Sequence, residues 1–230
     1  LVNRQLMIDK FKFGLSVLAT GPTFIQSDYA DKEIRPVEYD PKLALALLRE
    51  DGWVQGSDSI LEKVVDGRKI KLSFTILEPS EEFVKYLTIF KEDARQAGVE
   101  VKIKYIEWTS FIKLLDERNF EALRLGWSGG DMDWDPKQIW HSESAATGGS
   151  NFISYKNPEV DKLIDQARIT MEKPEREILL RKVYRQVAED VPYVFFFNTK
   201  FIHYAYSKRI QRPKDTFNYG IGTDYWSIKK

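Results

Sequence analysis

The 230-residue sequence holds 35 Lys and Arg against 35 Asp and Glu, so its formal net charge is zero. This balance gives no electrostatic reason to expect nucleic acid or an anionic membrane as a partner. Hydrophobic residues make up 43% of the chain and cysteine is absent, which predicts a globular core and excludes disulfides, thiolate zinc sites and cysteine nucleophiles. No apolar run is long enough to span a bilayer. Because the chain starts at Leu1 without a Met or a leader pattern, we expect a processed product or a fragment of a longer protein.

The first elements along the chain are helical. A helix is predicted within residues 1–13, followed by an irregular polar loop over residues 23–38. The next helix is marked by Asp40 as its N-cap, Pro41 at its first position and Gly52 just beyond its end. The apolar residues expected to face the core from this helix are Leu43, Leu47 and Leu48.

A β-hairpin is predicted over residues 60–77, because Asp66-Gly67 is a strong signal for a two-residue turn. Its second strand alternates apolar and polar residues over the whole length, which is typical of a strand with one buried face. That face carries Ile70, Leu72, Phe74 and Ile76.

Two helices and two strands then follow in direct succession. Ser80 is the predicted cap of a helix that runs to Ala97, with its apolar stripe formed by Phe83, Leu87, Phe90 and Ala94. A strand is predicted over residues 99–106, a short helix from Thr109 or Ser110 to residue 118, and a further strand over residues 120–127.

This strand–helix succession predicts a parallel sheet, since strands joined through a helix are nearly always parallel. The carboxyl ends of the three strands then lie at one edge, together with Glu78, Glu107 and Trp108. Ligands of open α/β sheets bind in the crevice outside these strand ends. The sequence therefore predicts a binding site at the loop over residues 125–136.

The second half of the chain is predicted to be mainly helical. One helical turn is expected over residues 136–140, a helix with Asn157 as its cap and Pro158 at its first position, and another helix opening at Pro174. Strands are predicted over residues 191–197 and 201–206. The apolar residues expected on the buried faces of the two helices are Val160, Leu163, Ile164 and Ala167 in the first, and Ile178, Leu179, Val183 and Val187 in the second.

The loop over residues 125–136 combines carboxylates with large aromatic residues. The every-other spacing of Asp131, Asp133 and Asp135 matches the start of an EF-hand, but Pro136 stands at the sixth position in place of Gly, which disfavours calcium. These carboxylates suit an ammonium group instead. A solvated acidic loop is the alternative. Trp127 in turn suits either ligand stacking or core packing.

Two further interpretations concern catalysis and metal binding. A carboxylate- or metal-dependent hydrolase could use Asp131 and Asp133 in the acidic loop 131–135, together with Glu78 and Glu107. For the two glutamates, solvated surface charge is the favoured interpretation. The two histidines of the chain, at positions 141 and 203, lack partners at ligand spacing and are interpreted as structural residues. We predict no catalytic residue, no metal and no cofactor.

The ordered set of segments resembles the C-terminal lobe of the peptide-type, family 5 extracellular solute-binding proteins of ABC importers, over the whole chain. The matching segments are residues 6–22, Tyr39-Asp40-Pro41 with Ala46-Leu47-Leu48, Asp51-Gly52-Trp53, Ala97-Gly98-Val99, Glu107-Trp108-Thr109-Ser110-Phe111, Gly126-Trp127 with Asp135-Pro136, Ser150-Asn151-Phe152, Tyr155-Lys156-Asn157-Pro158 with Val160-Asp161, and Glu189-Asp190-Val191-Pro192.

The resemblance implies an α/β fold like one lobe of a type II periplasmic binding protein, with a mixed sheet around a parallel βαβαβ core. It implies a binding lobe over residues 1–200, a segment over 201–230 that returns towards an absent N-terminal lobe, and a periplasmic or extracytoplasmic location, with anchoring through an absent N-terminus. The implied function is non-enzymatic: capture of a small peptide or similar solute and its delivery to the membrane permease of an ABC transporter.

The resemblance also implies an Asp shortly after Trp127 that pairs with the α-ammonium group of a peptide. Here the segment to Pro136 is two residues longer than the family pattern, and Gly130 falls where that Asp is expected, so Asp131 or Asp133 takes the role. The expected ligand-binding residues are Trp127, Asp131, Asp133, Trp134, Trp108, Glu107 and Asn151.

Overall fold

The computed structural model describes residues 1–127, 135–146, 148–201, 204–214 and 222–229. The chain forms two compact units, Leu1–Asn198 and Thr199–Lys230. Among the described residues, no helix has the length and apolar character needed to cross a membrane.

The α-helices and most of the strands belong to the first unit, and the last two strands belong to the second. The helices are α1 (Arg4–Phe11), α2 (Pro41–Glu50), α3 (Glu81–Gln96), α4 (Trp108–Asp116), α5 (Lys137–Trp140), α6 (Pro158–Ile169) and α7 (Lys173–Asp190). The strands are β1 (Ser16–Leu18), β2 (Val54–Gln55), β3 (Leu61–Val65), β4 (Arg68–Lys71), β5 (Ser73–Glu78), β6 (Glu100–Tyr105), β7 (Ala122–Leu123), β8 (Phe197–Thr199), β9 (Ile210–Gln211) and β10 (Ser227–Ile228).

The predicted parallel sheet is confirmed. Its strand order is β6-β5-β7, and both pairs are parallel. β5 pairs with β6 from Ser73 opposite Glu100 to Glu78 opposite Tyr105. It pairs with β7 through Ile76 opposite Ala122 and Leu77 opposite Leu123. The strand predicted over residues 120–127 is shorter than expected, because only Ala122 and Leu123 pair with β5.

The predicted second strand of the hairpin is divided between two sheets. β3 and β4 form the hairpin around the turn at Asp66, while β5 joins the parallel sheet. Leu72 is the point of division: its N–H donates to the carbonyl of Leu61 in the hairpin, and its carbonyl accepts from the N–H of Glu100 at the parallel sheet. The alternation of apolar and polar residues continues through this change of pairing partner, so the sequence pattern could not show that the strand is divided. Ile70, expected on the buried face, is exposed.

The helix α3 packs on the sheet as predicted. Leu87 and Ala94 are buried in the same apolar cluster as Ile76 and Val101, and Phe83 and Phe90 pack against it. The prediction of a buried stripe on α2 was wrong for two of its leucines, since Leu43 and Leu47 are more than half exposed and only Leu48 packs on this cluster. The spacing identified the apolar face but not a partner for it.

The helices α6 and α7 form the second apolar cluster of the unit. Asn157 caps α6 as predicted, accepting hydrogen bonds from the N–H groups of Glu159 and Val160. The buried faces meet through Val160, Ile164, Val183 and Val187, all fully buried. On α7 the expected position Ile178 is half exposed, and Leu180 and Tyr184 are buried instead.

The strand predicted over residues 191–197 was also wrong over most of its length. Val191 ends α7 in the left-handed conformation, and pairing with β1 begins only at Phe197. In the second unit β9 and β10 pair antiparallel, with Gln211 opposite Ser227. Of the strand predicted over 201–206, residues 201 and 204–206 are not in a strand, and 202–203 lie outside the described residues.

Candidate functional site

The strand ends of the parallel sheet meet at one edge, as the succession of elements predicted. The N–H of Ile106 donates to the carbonyl of Glu78 at 3.1 Å, and the N–H of Arg124 donates to the carbonyl of Leu77 at 3.1 Å. The residues that follow β6 and β7 are thereby held beside the end of β5. We refer to this region, from residues 105–108 through 78 to 124–127, as the strand-end edge.

Glu78 closes the middle of the strand-end edge as a buried ion pair. Its side chain is fully buried and accepts hydrogen bonds from Arg124 Nε at 2.7 Å and from the N–H of Ser80 at 2.7 Å. The Arg124 guanidinium lies 4.2 Å from the centroid of the Phe83 ring. Solvated charge was therefore the wrong interpretation of Glu78, because both carboxylate oxygens are used inside the fold.

Glu107 is exposed at the same edge and caps α4. Its Oε2 atom accepts from the N–H groups of Thr109 at 2.8 Å and Ser110 at 3.3 Å, so neither Thr109 nor Ser110 is the cap that the sequence predicted. These hydrogen bonds, first the one from Thr109, lower the pKa of the Glu107 carboxyl. Its Oε1 atom accepts from the Thr109 hydroxyl at 3.3 Å, and a carboxylate oxygen can accept more than one hydrogen bond.

Trp108 presents an exposed ring over a buried one. Its side chain is 54% exposed and stacks on Phe111 at a centroid distance of 5.7 Å and an interplanar angle of 20°. Phe111 is fully buried. An indole with one face packed and the other in water can accept a further apolar or aromatic group at low cost in side-chain entropy.

Trp127, four residues beyond the end of β7, is likewise a partly exposed ring that stacks on another aromatic ring. It is 39% exposed, and its ring lies parallel to that of Phe152, with an interplanar angle of 5° and a centroid distance of 5.8 Å. Trp127 and Tyr193 line one apolar groove. Burial raises the pKa of the Tyr193 phenol to about 12.

Asn151 holds the backbone of the loop that carries Phe152. Its side chain is fully buried, its amide nitrogen donates to the carbonyls of His141 and Tyr155, and its oxygen accepts from the N–H of Tyr155. These bonds give Asn151 a structural role in the loop, and its expected ligand contact stays a prediction.

An apolar groove with a volume of about 350 Å³ runs along the outer side of β7, from Phe120 to Trp127. No described strand pairs with β7 on this side. The groove walls come from the sheet, from α3 and from the segment that follows α7. Their larger residues include Phe74, Phe90, Leu125, Phe152, Tyr193 and Phe196.

Three of the expected contacts, Asp131, Asp133 and Trp134, lie outside the described residues. Asp135, the third carboxylate of the loop, is described: it accepts from Arg168 Nε at 2.9 Å and from the N–H of Lys137 at 3.0 Å. Across the described ranges, no group of three or more His, Asp or Glu residues could hold a metal ion.

Sequence reasoning missed Phe152, which stacks on Trp127, Arg118, which lies against the Phe152 ring, and Tyr193, which lines the same groove. A single phenylalanine in the polar stretch over residues 150–154 was the available signal for Phe152. Tyr193 was assigned to a strand, and Arg118 was taken only as a helix end. Their roles depend on contacts between residues that are distant in sequence.

Comparison with known proteins shows the family. The model of the bacterial extracellular solute-binding proteins, family 5 Middle, matches residues 1–150. The oligopeptide-binding protein AppA of Bacillus subtilis is 30% identical over 170 residues, which is 73% of this chain and 31% of AppA. Di/tripeptide-binding protein 1 of Pseudomonas aeruginosa is 28% identical over 193 residues, 83% of this chain and 34% of the relative.

Solved structures agree with this fold. The structure of AppA in complex with a nonapeptide has a TM-score of 0.81 at 25% identity and covers 99% of this chain and 45% of AppA. NikZ of Campylobacter jejuni in complex with Ni(L-His) has a TM-score of 0.74 at 25% identity and covers 85% of this chain and 39% of NikZ. The chain thus spans about a third of the length of the curated relatives and less than half of these solved chains. The chain has the fold of one lobe of a type II periplasmic binding protein and belongs to the family 5 bacterial extracellular solute-binding proteins.

Proposed function

We propose that this chain is the ligand-binding lobe of a solute-binding protein that captures peptides outside the cytoplasmic membrane and delivers them to the permease of an ABC importer. The observation that carries the proposal is the match of 99% of the chain to AppA bound to a nonapeptide. The two exposed tryptophans at the strand-end edge, Trp108 and Trp127, give the ligand a place in this chain. A binding role is favoured over the hydrolase alternative because the matched relatives are named as binding proteins.

The proposed ligand is an extended peptide lying across the strand-end edge. Its apolar side chains pack against Trp108, Trp127 and Trp134, and Glu107 accepts a hydrogen bond at the rim. Its α-ammonium group pairs with Asp131 or Asp133. Asp135 is a weaker candidate for this role because its carboxylate already accepts hydrogen bonds from Arg168 and the Lys137 N–H.

A second lobe of the same polypeptide completes the proposed site. The matched structures are more than twice as long as this chain, and the groove along β7 leaves an apolar surface with an unpaired strand edge among the described residues. We propose that the second lobe covers this groove and that closure of the two lobes encloses the peptide. Residues 1–200 form the binding lobe in this proposal, residues 201–230 return towards the second lobe, and an N-terminal segment outside this chain supplies any membrane anchor.

The peptide proposal is tested with the full-length gene product and a pool of synthetic nonapeptides of randomised sequence. Native mass spectrometry identifies retained peptides, and calorimetry measures their affinity. We expect peptides with free amino ends to be retained intact, and the same pool after N-acetylation to bind less. Retention of Ni(L-His) with no retention of peptides would overturn the ligand class, and release of cleaved peptides would restore the hydrolase.

The ammonium role is tested with Asp131→Asn and Asp133→Asn. A charge-assisted hydrogen bond contributes about 1.5 to 3 kcal/mol, so loss of the pairing carboxylate weakens binding roughly 10- to 100-fold. The matched control is Asp116→Asn, at an exposed aspartate at the end of α4. If both loop variants bind the free-amine peptides as tightly as the control, the assignment of the ammonium site is wrong.

A further inference from the structure

Trp127 is one member of a chain of contacts that continues through Phe152 to Arg118. The Phe152 ring lies 5.8 Å from the Trp127 ring and parallel to it, and the Arg118 guanidinium carbon lies 4.8 Å from the centroid of the same Phe152 ring. From this geometry we infer that Arg118 is a positioning residue: acting through Phe152, it sets the plane in which Trp127 faces the strand-end edge. The inference deepens the proposed function and rests on it for the consequence in binding.

Arg118 is itself fixed by the backbone on two sides. Nη1 donates to the carbonyl of Leu115 at 2.9 Å, and Nη2 donates to the carbonyl of Gly149 at 2.9 Å. The planar guanidinium therefore links the end of α4 to the loop that carries Phe152. The backbone of Arg118 has φ of 56°, a left-handed conformation that a residue other than glycine adopts at some cost. A link of this geometry cannot slide along the Phe152 ring without loss of a hydrogen bond.

The loop that carries Phe152 has little freedom to move away from Arg118. A Cβ atom added at Gly149 would meet the carbonyl oxygen of Ser144 at 2.0 Å, so this backbone lies directly against the preceding 3-10 helix over Ser142–Ala145. Asn151 next to Phe152 is fully buried and bonded on both sides of its amide. Phe152 is thus a fixed backing for Trp127.

Tyr193 lines the same groove as Trp127. Tyr193 packs against the apolar cluster of α6 and α7, with its ring 4.9 Å from that of Trp140 in α5. The stack on Phe152 fixes the plane of the indole ring. A ring held in this way keeps its exposed face available and loses little rotamer entropy when a ligand packs on it.

The first measurement reads the position of Trp127 without any ligand. The near-UV circular dichroism of the full-length gene product is recorded with and without Trp127→Phe, and the difference is the Trp127 band. We expect Arg118→Leu and Phe152→Leu to reduce this band by about half or more, because a ring that turns freely loses its asymmetric surroundings. Phe152→Tyr, which keeps the ring, retains the band, and Arg95→Leu, at an exposed arginine on α3, is the matched control. An unchanged band in Arg118→Leu and Phe152→Leu would overturn the inference.

A folding defect is separated from a positioning effect by Arg118→Lys. Lysine keeps the charge and can reach one carbonyl, but it has no planar group to lie over Phe152. We expect this variant to melt within a few degrees of the parent and still to lose part of the Trp127 band. A purely structural role predicts that the band and the melting temperature fall together across all the variants, and that result would also overturn the inference.

The second measurement uses a nonapeptide retained from the randomised pool. Arg118→Leu is expected to weaken its binding by about 3- to 10-fold, the range of one aromatic stacking contact. In a Trp127→Leu background the same substitution should cause no further loss, since Arg118 acts through that ring. Equal losses in the two backgrounds would overturn the inference. If Trp127→Leu leaves binding unchanged while Arg118→Leu still removes the Trp127 band, the proposed site is wrong and the positioning of Trp127 stands.

Discussion

The helix pair of α6 and α7 and the strand-end edge use apolar residues in opposite ways. In the helix pair the facing side chains Val160, Ile164, Val183 and Val187 are all fully buried. At the strand-end edge Trp108 and Trp127 keep 54% and 39% of their surface exposed, although each has a ring packed behind it. The first region buries its apolar groups within the chain, and the second leaves part of its apolar surface exposed.

Polar groups show the same difference. In the helix pair, the carboxylate of Asp190 at the end of α7 binds Tyr155, Asn157 and Gln186, and so ties the end of one helix to the start of the other. At the strand-end edge Glu78 is fully enclosed while Glu107 is exposed with one oxygen lightly used. The strand-end edge therefore combines a buried inner layer with an exposed outer layer. Substitutions in the two regions should separate stability from binding.

The largest expected loss of stability is at the helix pair, with Ile164→Ala. Ile164 is fully buried, so the cavity and the lost transfer free energy lower the free energy of unfolding by about 2 to 5 kcal/mol. The matched control is Ile169→Ala on the same helix, where the side chain is 80% exposed and the change should stay within about 0.5 kcal/mol. Urea unfolding followed by circular dichroism measures both.

If Ile164→Ala changes the peptide affinity under conditions where the variant is fully folded, the helix pair and the strand-end edge do not separate stability from binding. Calorimetry at low temperature, well below the melting transition, checks this. Unchanged affinity with lower stability is the expected result, because none of the proposed ligand contacts belongs to α6 or α7.

Local sequence signals predicted the parts of the fold that depend on neighbours in the chain. Asp40 and Asn157 are caps as predicted, and the succession of strands and helices gave the parallel sheet and its common edge. The family and the lobe-type fold were also recognised from the order of short segments. These successes share a cause: caps, helical stripes and crossovers are decided within about twenty residues.

The errors came from positions where a distant partner decides the outcome. Leu43 and Leu47 form an apolar stripe with nothing described to cover it, and Glu78 is buried because Arg124, 46 residues later in the chain, provides its counter-charge. Glu107 displaced Thr109 and Ser110 as cap because a carboxylate can accept from both of their N–H groups. Composition and spacing carry no information on such pairings.

The next expected effect is at Glu78, which belongs to the strand-end edge but has the burial of a core residue. Glu78→Gln leaves the Arg124 guanidinium without its counter-charge, and removal of one partner of a buried ion pair costs about 3 to 5 kcal/mol, here at the low end because Arg124 is 19% exposed. The control is Glu82→Gln, an exposed partner of Lys85, with a change of at most about 0.5 kcal/mol.

Glu78→Gln also tests the difference between the two regions, because its partner Arg124 lies only three residues before Trp127 in the chain. We expect the variant to lower both the free energy of unfolding and the affinity for a retained nonapeptide, unlike Ile164→Ala. Replacing both partners, Glu78→Leu with Arg124→Leu, should recover part of the stability, since no unpaired charge remains. A loss of stability in Glu78→Gln no greater than that in Glu82→Gln would show that the pair is not a buried one.

The smallest expected effect on stability is at the exposed cap Glu107, and pH reveals it. Hydrogen bonds from the start of α4 lower the folded-state pKa of this carboxyl below its ordinary value of about 4.3. The charged cap therefore contributes stability that is fully present above that ordinary value and is lost as the pH falls through the lowered folded-state pKa. Thermal melting of the parent and of Glu107→Gln from pH 7 down to pH 2 should show a higher melting temperature for the parent at neutral pH, and the two curves should converge as the pH falls through the lowered folded-state pKa. If the difference in melting temperature stays constant over this range, the carboxylate charge does not stabilise α4.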